Sequence, residues 1–212
     1  MPIQQKLETP TPPNLGYPPE LYERRNFNES NGALNVYFRK MTSVLGALFG
    51  VKGSRYINAP YGAFQSTADQ TAAAINIAYA MTFNTTDYTN GVTVASSSRI
   101  TVTDSGIYNL QWSGQFENTD SQDHDVRIWI KVNGSNLTGS TGFSAVPSKH
   151  GSVNGHIIIG WNYFLSLNAN DYVELWWETD STTVNIQAYA AASNYPSTAS
   201  LIATMQFVSN TM

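Results

Sequence analysis

From about residue 74 onward, apolar and polar positions alternate with a period of two, the mark of strands that bury one face and solvate the other. Ile100 and Val102 alternate with Arg99, Thr101 and Thr103; Val126, Ile128, Ile130 and Val132 alternate with Arg127, Trp129 and Lys131. Val173, Leu175 and Trp177 alternate with Glu174, Trp176 and Glu178, and Val184, Ile186 and Ala188 with Asn185 and Gln187. Turn-forming clusters separate these runs, among them Thr89-Asn90-Gly91, Asp104-Ser105-Gly106, Asn133-Gly134-Ser135 and Asn168-Ala169-Asn170-Asp171. Eight or more short strands at this spacing predict an all-β, antiparallel sandwich with little helix.

Two runs refine that expectation. In Gly106 to Asn118, GIYNLQWSGQFEN, one face carries Tyr108, Leu110, Trp112 and Phe116, while the other carries Asn109, Gln111, Ser113 and Gln115, with no charge before Glu117. The second run, His156 to Leu165, is apolar on both faces and therefore calls for cover on both sides, from a loop, the linker or another subunit.

The first 50 residues follow other rules. Six of the nine prolines are Pro2, Pro10, Pro12, Pro13, Pro18 and Pro19, so residues 1–19 read as an extended arm that spans about 60 Å at about 3.1 Å per residue. Such an arm is either a disordered tail or a segment that orders on a neighbouring subunit. Residues 20–50 read as a helix, with prolines at the front and Gly50 at the back. Phe27, Leu34, Tyr37, Met41, Val44 and Leu48 repeat as a short coiled-coil seam, available for self-association, for docking on another protein or for packing within the chain. Gly32 and Gly46 each weaken its interior by roughly 1 kcal/mol relative to Ala. Residues 51–73, rich in small and turn residues, read as a linker, and residues 74–212 as the β domain.

Composition narrows the function. Lys and Arg number 11 against 15 Asp and Glu, and only 12% of residues are charged, so no global charge calls for nucleic acid or an anionic membrane. The absence of cysteine excludes disulfides and thiolate metal sites. The segment MPIQQKLETPTPP lacks a signal-peptide pattern, and no run of about 18 apolar residues suits membrane insertion.

Candidate chemistry is sparse. Asp120-Ser121-Gln122-Asp123-His124-Asp125 lacks the glycine and distal glutamate of a Ca²⁺ loop and reads as a solvated turn. A three-histidine metal site would need His124, His150 and His156 to converge. Glu174 and Glu178 stand roughly 13 Å apart along a strand, too far for a paired-carboxylate hydrolase, and read as a solvated edge. No catalytic motif, metal site or cofactor is expected. Trp129 and Trp176 share their faces with charged residues and are candidates for an interface or a glycan contact.

Three segments carry a family resemblance: Arg99-Ile100-Thr101-Val102 followed by Gly106-Ile107-Tyr108, the stretch Leu165 to Leu175 (LSLNANDYVEL), and Ser200 to Phe207 before the end. Over roughly residues 75–209 the chain resembles the C1q/TNF-like jelly rolls. It departs from the secreted animal members in lacking a signal peptide, cysteines and a collagen-like stalk. The resemblance implies an antiparallel jelly-roll sandwich, preceded here by an N-terminal extended arm and one helix, that assembles as a homotrimer. The proline-rich arm, a helix carrying Tyr37-Phe38, and Asp87 with Asn90-Gly91 together look like virion proteins of tailed bacteriophages, notably those of marine and cyanobacterial hosts.

That likeness implies a virion structural protein, made in the host cytoplasm and released by lysis. Residues 1–50 would attach it to other virion proteins. The leading expectation is a tail fibre or adhesion module touching a host surface glycan, the close alternative is a capsid decoration or cement protein, and a lectin-like carbohydrate-binding module is the alternative of another class. In a trimer, Asn109, Gln111 and Gln115 would meet a copy of themselves, because amides pair across a contact where buried charge would be costly.

Overall fold

The computed structural model describes residues 10–15, 24–49 (side chains to residue 46) and 59–210. The chain forms two compact units, Met1–Asn58 and Ala59–Met212.

In the first unit, Arg24–Phe49 is one α-helix, α1. Leu34, Tyr37, Met41 and Val44 of the seam are half-buried, whereas Phe27 is 54% exposed and the Leu48 side chain lies outside the described residues. Thr11 and Pro13 of the arm line a groove of about 330 Å³ with Gly32, Ala33, Val36, Tyr37 and Lys40. Small side chains at 32 and 33 leave room for a proline-rich segment there, so part of the arm meets its own helix.

The second unit is an antiparallel β sandwich. Its first sheet runs β4 (Thr85–Asn90), β1 (Tyr61–Ser66), β14 (Leu201–Ser209), β7 (Gly106–Asn118), β11 (Gly155–Leu167), with β13 (Val184–Ile186) and β2 (Gln70–Thr71) extending it beside the end of β7. The second runs β5 (Val92–Ala95), β6 (Arg99–Val102), β12 (Tyr172–Thr179), β8 (His124–Val132), β10 (Gly142–Val146), with short β3 (Tyr79–Ala80) on β12 and β9 (Ser135–Asn136) on β8. The chain passes from one sheet to the other between β2 and β3, β3 and β4, β4 and β5, β6 and β7, β7 and β8, β10 and β11, β11 and β12, and β12 and β13.

The stretch read as a linker needs correcting. Its residues 61–66 and 70–71 are strands, and the unit begins at Ala59. In Tyr61–Ser66 the inward positions are Gly62, Phe64 and Ser66, so only one large apolar side chain marks a strand whose other core positions are small.

The alternating runs fill the core as their period dictates. Tyr108, Leu110, Phe116, Ile100, Val102, Val126, Ile128, Ile130, Val173, Leu175, Trp177, Val184 and Ile186 are all buried. Phe116 of β7 meets Trp177 of β12 edge-on at 5.9 Å, one of the contacts that ties sheet to sheet. Tyr108 keeps its hydroxyl satisfied by donating to the Asp104 carbonyl at 2.8 Å. Glycines fit where larger residues would collide. A Cβ at Gly142 would lie 1.6 Å from the Trp161 ring, and one at Gly155 would lie 1.8 Å from the Pro147 carbonyl oxygen.

A candidate assembly face and its surroundings

The outward positions of β7 meet two neighbours in register. Asn109 faces Gln206 on β14 and Phe164 on β11; Gln111 faces Thr204 and Asn162; Ser113 faces Ile202 and Gly160; Gln115 faces Ile158. Over these rows the three strands present amides, hydroxyls and apolar groups but no charged side chain. Ile158, Phe164 and Ile202 are 68%, 63% and 45% exposed, and Tyr88 on β4 is 69% exposed. Within the described residues, then, the doubly apolar β11 is covered on its core side only.

The three amides are placed unequally. Gln111 is exposed and Gln115 half-buried, but Asn109 is only 8% exposed in the single chain. Its Oδ1 has no hydrogen-bond partner among the described residues.

Charge returns at the end of this face. Glu117, 8% exposed, accepts from Asn154 Nδ2 at 3.0 Å and from the Tyr189 hydroxyl. His156 Nδ1 lies 3.0 Å from the Tyr189 hydroxyl and 3.8 Å from Glu117 Oε2. Burial, followed by the bond to Glu117, raises the Tyr189 pKa well above that of an ordinary tyrosine, so the phenol stays a donor at neutral pH. This triad joins residues of β7, β11 and the segment after β13, which no local pattern connects; its one signal in the sequence is Glu117, the first charge in GIYNLQWSGQFEN.

On the outer face of the second sheet, the charged and aromatic side chains of β8 and β12 pair with one another. Trp129 and Trp176 stand directly opposite each other, with Lys131 opposite Glu174 and Arg127 opposite Glu178. Lys131 Nζ sits 3.5 Å over the Trp176 ring, Arg127 pairs with Glu178 at 2.8 Å, and Trp129 Nε1 donates to Asn136 Oδ1 at 3.0 Å. One face of Trp176 is therefore taken by an ammonium group. Glu174 and Glu178 are no solvated edge: β12 is interior to the sheet, Glu174 is 6% exposed, and Ser98 Oγ donates to it at 2.7 Å.

His124 bridges two carboxylates, with Nε2 2.9 Å from Asp120 and Nδ1 3.2 Å from Asp180. The bond to His124, then the Ser121 N–H, holds Asp120 below the usual carboxylate range. No three His, Asp or Glu groups among the described residues come together as a metal site, so His124, His150 and His156 do not converge on one. No helix among the described residues is long and apolar enough to cross a membrane. Compared with known proteins, the chain matches no family model and no curated sequence.

Proposed function

We propose that the protein is a trimeric structural protein of a tailed-phage virion, acting as a tail-associated fibre or adhesion module. The observation that carries assembly is the outer face of the first sheet, where Ile158, Phe164, Ile202 and Tyr88 stand exposed around uncharged amides. Large apolar side chains exposed in rows that carry no charge are suited to burial against a copy of the same face. Asn109 adds to the reading, since a buried acceptor without a donor costs roughly 1–3 kcal/mol, a cost that an amide from a neighbouring copy would offset.

The order β4-β1-β14-β7-β11 packed over β5-β6-β12-β8-β10, with repeated crossing between sheets, supports the jelly-roll topology that the sequence resemblance implies. Setting on a virion rests on that resemblance together with the proline-rich arm and helix, which have the composition of an attachment segment.

Sedimentation of the purified chain at micromolar concentration tests the assembly, with a trimer expected and a monomer counting against it. Localisation in an imaged particle tests the setting. Density at the tail supports the fibre or adhesion reading, and density on the capsid shell would replace it with decoration.

A further inference from the structure

Beside the Glu117 triad lies a cleft of about 420 Å³, formed by residues 65–69 on one side and residues 188–190 and 197–199 on the other. Its size falls within the roughly 300–1,000 Å³ of small-molecule sites.

The walls are pinned. The Ala188 N–H donates to Asp69 Oδ1 at 2.9 Å, and Tyr189 and Thr198 exchange backbone hydrogen bonds at 3.1 and 2.9 Å. Tyr189, one of the lining residues, is held in place: its hydroxyl donates to buried Glu117 and its ring meets His156 edge-on at 5.7 Å. An aromatic ring locked in this way loses little rotamer freedom when a ligand stacks on it.

The chemistry of the lining is selective. Asp69 Oδ2, Gln65 Oε1 and the hydroxyls of Ser197 and Thr198 form no hydrogen bond with any described residue. Four alanine side chains supply apolar surface between these groups, and no Lys, Arg or His lines the cleft. A carboxylate without a cation repels phosphate, sulfate and carboxylate ligands, whereas spaced acceptors and hydroxyls beside an aromatic ring suit a ring that is apolar on its C–H face and hydroxylated at its edge.

We propose that this cleft binds a neutral saccharide, with Asp69 accepting from sugar hydroxyls and Tyr189 packing against the sugar ring. Such a site gives the adhesive reading of the protein, on which it rests, a ligand class, and moves glycan contact away from Trp129 and Trp176.

The test is saturation-transfer NMR on the full-length protein with the methyl glycosides of glucose, galactose, mannose and N-acetylglucosamine, and with sialyllactose as the charged probe. At least one neutral glycoside is expected to bind. Asp69→Asn, which keeps an acceptor for the Ala188 N–H, should weaken it at least tenfold, and Ala190→Trp, on an exposed residue, should abolish it by filling the cleft. Absence of binding by all four glycosides, binding that survives both substitutions, or preferential binding of sialyllactose would each overturn the site. Those outcomes are independent of the virion reading, because sedimentation and particle imaging report assembly and location whether or not a sugar binds.

Discussion

Glu174 Oε1 lies 3.6 Å from Arg99 Nε, in a carboxylate buried in the interior of the second sheet. The same oxygen accepts from Ser98, itself 7% exposed. Removing the carboxylate leaves that hydroxyl without its acceptor, so Glu174→Ala should lower stability by about 2 kcal/mol in urea denaturation. Glu174→Gln should recover part of the loss, since the amide oxygen still accepts from Ser98. Equal stability of all three proteins would show that the buried pair contributes nothing.

Glycine substitutions should separate by position. Gly142→Ala forces a methyl group into the Trp161 ring, which is itself packed edge-on against Trp112 at 5.7 Å. A loss of about 2 kcal/mol is expected. Gly46→Ala on α1 meets nothing within 4 Å and should gain about 1 kcal/mol of helix stability. Circular dichroism melting of the two variants should show shifts of opposite sign.

On the proposed assembly face Ile158 and Phe164 are exposed in the single chain, so charge can be introduced there without disturbing the core. Ile158→Glu and Phe164→Glu should leave the melting of isolated chains nearly unchanged while converting trimers to monomers in sedimentation at micromolar concentration. If trimers survive both substitutions, assembly uses another surface.

Acid should weaken the sandwich through three aspartates held below their ordinary value of 3.8. His124 and the Ser121 N–H lower Asp120, the Ser148 N–H lowers Asp123, and the Asn133 side chain with the Asn168 N–H lowers Asp171. With folded values below unfolded ones, the unfolded chain takes up protons first. The stabilisation is therefore fully present above the unfolded value and is lost as pH falls through the folded ones, starting about one unit above 3.8. Melting temperature should be flat from pH 7 to about 5 and then fall, and Asp171→Asn should make that fall shallower. An identical acid limb in the variant would place the effect elsewhere.

The fold was legible wherever period alone decides burial. Ile128 and Ile130, or Val173 and Leu175, lie inward because alternate side chains must. It was illegible at Tyr61–Ser66, where Gly62 and Ser66 occupy core positions without an apolar signature. Face chemistry followed the same division. That Gln111 and Gln115 point away from the core can be read from their own strand, but the burial of Asn109 depends on neighbours from β11 and β14. Glu174 looked solvated because strand period gives the side a residue faces, while Ser98 and Arg99, which enclose it, come from residues far away in sequence. The cleft at Tyr189 assembles segments more than a hundred residues apart, a relationship that no local pattern encodes.

β14 lies between β1 and β7, with Leu201, Ala203 and Met205 fully buried. It is also the last strand of the sandwich to be synthesised. While a ribosome is still translating residues 200–209, β1 and β4 have no partner joining them to β7, and the core side chains of the first sheet stand open. Completion of the first sheet therefore waits on contacts distant in sequence, which slows folding and leaves the nascent chain exposed to aggregation until that strand arrives.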